Sequence, residues 1–144
     1  MRAPDLESSD FWVWVNEEEV GPMMLGEGKP GGKPPRDLTE RTALFGEAII
    51  RFAKKIPQNP VNNRLITQLV GAGTSVGANY CEADDAVSGR EFKQKIAFSR
   101  KESKETMFFL RMIATAEAEL AIEARQLWRE AKELNRIFGS IWRK

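Results

Sequence analysis

Residues 65–83 read Leu-Ile-Thr-Gln-Leu-Val-Gly-Ala-Gly-Thr-Ser-Val-Gly-Ala-Asn-Tyr-Cys-Glu-Ala, and two folds compete for them. Apolar 65–70 followed by Gly71, Gly73 and Gly77 has the look of a strand feeding a phosphate-binding loop, where glycines let the backbone approach an anion. The run does not fit GxxxxGK[ST]. Asn59-Pro60 starts a helix ahead of it, with a capping side chain and then proline at the first helical position. Leu65, Leu69, Ala72, Val76 and Tyr80 keep a 3.6-residue period straight through the glycines. The segment is therefore expected to be a helix. Each glycine costs such a helix about 1 kcal/mol relative to alanine. The compensation expected is close helix packing, in which Gly71, Gly73, Thr74, Gly77 and Ala78 admit a neighbouring backbone.

Outward from that segment the pattern stays helical. Asp37 with Glu40 forms a capping box, and Leu38, Phe45, Ile49, Phe52 and Ile56 recur at helical spacing until Pro57. Ser88 with Glu91 forms another. It opens a third helix through Phe92, Ile96, Ser99, Ser103, Thr106, Leu110 and Ile113, whose middle is small and polar. The fourth carries the cleanest heptad, Leu120, Ala124, Leu127, Ala131, Leu134, Phe138 and Ile141. No proline or glycine separates helices three and four. The turn is expected near residues 116–120, because one helix from 89 to 142 would far exceed ordinary globular lengths. The fold class predicted is all-α, an antiparallel up-down-up-down four-helix bundle over residues 37–144. Ile50, Leu44, Trp128 and Trp142 widen the apolar faces beyond one stripe, which predicts oligomerisation.

Residues 1–36 differ in kind. Five prolines and five glycines fall there, and Gly-Glu-Gly-Lys-Pro-Gly-Gly-Lys-Pro-Pro reads as a flexible linker. Ahead of it, residues 11–15 (Phe-Trp-Val-Trp-Val) form a β-prone run. The expectation is a loosely ordered extension, with docking of that run on a partner as the functional alternative. Met23 and Met24 are candidate translation starts, since Glu17, Glu18 and Glu19 can be encoded by purine-rich codons resembling a ribosome-binding site.

Composition narrows the function. The 144 residues include no histidine and one cysteine, Cys81. Ser–His–Asp, Cys–His and histidine acid–base sites are thereby excluded, as is a cysteine-rich zinc site. Cys81 closes a helix and has no helix N-terminus to activate it, so a buried or half-buried structural thiol is expected. Glu82, Asp84 and Asp85 read as a solvated acidic loop in preference to a metal site. No catalytic residue, metal, cofactor or small-molecule substrate is expected. Short, interrupted apolar runs predict no membrane span, and the absence of a visible signal with one cysteine predicts a cytoplasmic protein.

The net charge of +1 sums an acidic segment and a basic one. Residues 1–36 hold 4 basic and 7 acidic side chains, and residues 37–144 hold 18 and 14. On helix three, Lys93, Arg100, Lys104 and Arg111 are spaced by seven, four and seven, and so share one face. Arg125, Arg129, Lys132 and Arg136 make a second stripe on helix four. Such stripes are often solvated faces. Multiplied by a symmetric assembly, they would bind phosphate backbones without reading sequence, with RNA or DNA as the partner.

The run 67–83, Thr-Gln-Leu-Val-Gly-Ala-Gly-Thr-Ser-Val-Gly-Ala-Asn-Tyr-Cys-Glu-Ala, resembles the signature of the 23S rRNA-intervening sequence protein family, also called S23. Residues 90–97 and 102–110 look like that family's third helix. The resemblance covers about residues 37–144. It implies a non-enzymatic helical bundle and a homopentamer with a central channel. Some members are encoded within intervening sequences of 23S rRNA genes. Others are accessory variability proteins of diversity-generating retroelements, whose basic pentamer engages a reverse transcriptase and nucleic acid. Relatives often carry Arg-Ser where this chain has Gly71-Ala72, and Arg where it has Cys81. Those positions are uncharged here, and no catalytic residue transfers.

Overall fold

The structure is a computed structural model that describes residues 8–16, 18–21 and 37–144. Four helices carry the fold: α1 (Leu38–Ala53), α2 (Pro60–Asp84), α3 (Gly89–Ala116) and α4 (Ala121–Arg143). There is no strand among the described residues. The expected linker and both candidate start methionines lie outside them.

The capping residues set the helix starts. Asp37 accepts from Thr39 N at 2.9 Å, Asn59 from Asn62 N at 2.8 Å and Ser88 from Glu91 N at 3.1 Å. The return arm of the last box lands one residue early, where Glu91 Oε2 accepts from Val87 N at 3.1 Å. α1 stops at Ala53, and bonds from Lys55 N to Phe52 O and from Ile56 N to Ala53 O unwind it before Pro57 is reached. α3 breaks at Glu117, whose backbone is extended (φ −134°, ψ 87°), and a 3-10 turn over Ala118–Leu120 leads into α4. A side chain holds that break open. Asn62 Nδ2 donates to Glu117 Oε1 and to Pro57 O, both at 2.9 Å, and ties the two connections at this end of the bundle together.

Short connections make consecutive helices neighbours, so α2 packs on α1 and α3, and α3 on α4. α1 touches α4 more sparsely, and two ion pairs bridge them: Arg41–Glu130 and Lys55–Glu123. The core is built from Phe45, Ile49 and Phe52 of α1, Leu69 and Val76 of α2, Ile96, Met107, Leu110 and Ile113 of α3, and Leu134 and Phe138 of α4.

The small polar middle of α3 is buried and satisfied. Ser99 Oγ donates to Val76 O at 3.0 Å, joining α3 to α2. Ser103 Oγ and Thr106 Oγ1 donate within their own helix, to Arg100 O and Glu102 O. Asn135 Nδ2 donates to Arg100 O at 2.9 Å and to Ser103 Oγ at 3.1 Å, joining α3 to α4. Each buried group thus avoids the cost of an unmade hydrogen bond.

The N-terminal segment departs from a loosely ordered, β-prone tail. Asp10–Trp14 is a short 3-10 helix whose Trp12 is 1% exposed. Its ring centroid lies 5.9 Å from that of Trp128 on α4. Val15 and Val20 are buried beside it. The physical reason is burial: Trp12, Val15 and Val20 leave water together, and Trp128 supplies part of the surface they cover.

Candidate nucleic-acid interface

The glycine-rich run lies inside α2, so its backbone donors serve the helix and form no anion cradle. Gly73 and Gly77 face α1. A Cβ on Gly73 would lie 2.8 Å from Ile49 Cγ2, and one on Gly77 would lie 3.0 Å from Thr42 Oγ1. Gly46 answers from α1, where a Cβ would meet Thr74 Cα at 3.7 Å. Close packing therefore holds for Gly73, Gly77 and the half-buried Thr74. It fails for Gly71, which is exposed and where an added Cβ would meet nothing within 4 Å. Ala78 is exposed too.

Beyond that contact the small residues leave an apolar groove of about 280 Å³ between α1 and α2, lined by Ala43, Gly46, Ile50, Thr74, Ala78 and Cys81 among others. Cys81 corrects the expectation of a buried thiol, since it is exposed on this groove. Glu82 is held by Lys95 in an ion pair. Among the described residues no three potential metal ligands come together, and no helix is long and apolar enough to cross a membrane.

The basic stripes divide by depth. α3 and α4 run antiparallel, so the start of α3 meets the end of α4. There Lys93 Nζ sits 5.4 Å from the Trp142 ring centroid, and Trp142 is 42% exposed. Farther along the seam, Arg100 and Arg143 converge over Gly139. A Cβ there would lie 3.3 Å from Arg143 Nη1 and 3.7 Å from Arg100 Nε. Lys104 and Arg136 are exposed on the same two helices. Among the described residues, no ion pair involves Lys93, Arg100, Lys104, Arg136 or Arg143.

At the far end of the seam the cations turn inward. Arg125 is buried, with its guanidinium 4.5 Å from the Trp128 ring centroid and 5.7 Å from that of Trp12. Arg111 is half-buried, 4.5 Å from the Phe11 ring centroid. Lys132 is half-buried over Trp128 at 5.2 Å. Arg129 is exposed and donates to Val20 O at 3.5 Å. In the single chain Arg125 and Arg111 thus lie against aromatic rings, unlike the exposed Lys93, Arg100, Lys104 and Arg136. Helical spacing gives a residue's direction but not its depth, and the covering rings come from far away in sequence. Periodicity also misses Trp142 and Arg143 as neighbours of Lys93 and Arg100. The signal available for them is an aromatic beside a basic terminus, which periodicity counts only as surplus apolar surface.

Residues 37–140 match the family described as 23S rRNA-intervening sequence protein. The chain belongs to this family. A crystal structure of a protein of unknown function from the S23 ribosomal protein family of Bacteroides thetaiotaomicron is similar to it, at 25% identity and a TM-score of 0.66, covering 75% of this chain and 100% of that one. None of the curated proteins matches the chain. The four-helix bundle is thereby a shared family fold. Both the clustered cations and the small-residue groove lie on its helices, whereas the aromatic segment around Trp12 precedes the matched region.

Proposed function

We propose that this S23-family protein is a non-enzymatic homo-oligomer that binds the phosphate backbone of RNA or DNA through the α3–α4 face, as an accessory factor to an RNA-handling or reverse-transcriptase system. The observation that carries the proposal is Lys93 over the exposed Trp142, with Arg100 and Arg143 converging over Gly139 about one turn away on α4. Cations without carboxylate partners release counterions when they meet phosphates. An exposed indole among them offers a base a stacking surface, worth about 1–3 kcal/mol per base. Such a surface is electrostatic and tolerant of sequence.

Assembly is supported by the α1–α2 groove, where Ile50 is 44% exposed beside Ala43, Gly46 and Ala78. Its small residues suit close approach by a helix of a second copy. Pentameric assembly is what the family resemblance implies. The same groove favours a second reading, a protein-interaction module whose cations are only solvated.

Charge reversal at Arg100 and Lys104 separates the two. Under the proposal, Arg100→Glu/Lys104→Glu loses affinity for a labelled single-stranded RNA by about a hundredfold at low salt while light scattering reports the wild-type assembly. Under the second reading, neither quantity changes.

A further inference from the structure

Residues 8–16 and 18–21 lie across cations that belong to the same two stripes. Phe11 covers Arg111, the buried Arg125 lies against both Trp12 and Trp128, and Val20 O accepts from Arg129. Arg125 Nη2 also donates to Ser9 Oγ at 3.1 Å, and Gln126 Nε2 donates to Gly21 O at 3.0 Å. The covering segment is itself acidic, with Asp10, Glu18 and Glu19 among its described residues. Its outer side is bare, since Val13 is 82% exposed and Trp14 50% exposed. One buried atom beneath the segment is left wanting, because Arg111 Nε is enclosed without a hydrogen-bond acceptor. A ring face attracts a guanidinium but accepts no directed bond as a phosphate oxygen does.

We propose that this N-terminal segment is an intramolecular mask. It occupies the Trp128 end of the α3–α4 seam and withholds Arg111 and Arg125 from polyanions, and its release extends the basic face from the Trp142 end along the full seam. The proposal rests on the nucleic-acid reading for its biological ligand, but masking of the arginines is measurable without it.

The test uses the full chain carrying Trp12→Ala or Phe11→Ala. Hydrogen exchange at residues 8–21 reports release, heparin chromatography reports accessible cations, and anisotropy of a labelled mixed-sequence single-stranded RNA reports binding. In Trp12→Ala, exchange rises across 8–21 and heparin elution moves to higher salt. RNA affinity at low salt rises about tenfold, and the slope of log K against log salt steepens by about 1.4, from two added cations at roughly 0.7 each. Release with unchanged heparin elution overturns the mask. Continued protection of 8–21 in both variants overturns the anchoring. Later heparin elution with no RNA binding by any variant upholds the mask and refutes the nucleic-acid reading. Should Trp12→Ala fail to fold by circular dichroism, Phe11→Ala decides, because Phe11 is only half-buried and contacts Arg111 directly.

Discussion

Lys93 Nζ lies 5.4 Å from the ring centroid of Trp142, so the first turns of α3 and the last turn of α4 present one composite surface, cationic and aromatic together. Trp142→Ala removes the stacking platform and leaves the charges. The expected loss of affinity for single-stranded RNA is about tenfold or more, from a stacking contribution of roughly 1–3 kcal/mol. Lys93→Met removes a charge and keeps the stem. It lowers the magnitude of the salt slope by about 0.7 on a single strand. Anisotropy titrations on both variants separate the two contributions. Equal salt slopes for Lys93→Met and wild type would remove Lys93 from the interface.

The two glycines of Gly71-Ala72-Gly73 should respond in opposite directions to the same change. Gly71→Ala adds a methyl into open space and is expected to stabilise the helix by about 1 kcal/mol. Gly73→Ala drives a methyl onto the fully buried, β-branched Ile49, whose stiff side chain cannot move aside. Overpacking there costs about 1–3 kcal/mol. Thermal unfolding of both variants reads the contrast, and a Gly73→Ala protein melting at or above wild type would contradict the α1–α2 packing.

Arg41 grips Glu130 with both arms, from Nε to Oε2 at 2.8 Å and from Nη2 to Oε1 at 2.7 Å, where α1 otherwise touches α4 sparsely. The hydrogen bond to Glu130 raises the pKa of Arg41 further above its already high value. Removing one partner strands the other at a largely buried site. Arg41→Ala is expected to cost about 3 kcal/mol, whereas Arg41→Met/Glu130→Leu recovers most of that loss. Urea unfolding of the single and double variants checks it, and additive losses would show that the pair is not acting as a unit.

The Glu102 carboxyl is pushed above its usual range, first by burial and then by its hydrogen bond to Glu105 and that residue's charge. A carboxyl whose folded-state pKa is raised favours folding while it is protonated. That contribution is lost as pH rises through the folded-state value, so ionised Glu102 burdens the native state at neutral pH. Glu102→Gln should therefore melt at or above wild type at pH 7, and its advantage should vanish below the ordinary carboxylate range. Melting temperatures across pH 3–8 test this, and a Gln variant that loses stability only at neutral pH would reverse the sign.

Helix limits are legible in the sequence because polar caps announce themselves locally: Asp37, Asn59 before Pro60, and Ser88 with Glu91 are each followed by the amide they satisfy. Even the break after Ala116, with no proline or glycine, is readable from length and heptad phase. What holds it, Asn62 on Glu117, is a contact between distant residues. The glycines are legible as packing positions but not individually, since only the direction of α1 decides that Gly73 is filled against and Gly71 is bare. The basic faces are legible as stripes. Their division is not, because Trp12 reaches Arg125 and Trp128 from far away in the chain, and spacing along one helix carries no trace of that.

The α3–α4 face is proposed to bind polyanionic nucleic acid by charge. Anisotropy of a labelled single-stranded RNA with the wild-type protein, over a salt series from about 50 to 300 mM, tests it most directly. A linear fall of log K with log salt is expected. The slope should be steeper than about −2, since Lys93, Arg100, Lys104 and Arg143 release roughly 0.7 counterion each. Absence of binding at the lowest salt, or binding that ignores salt, would contradict it.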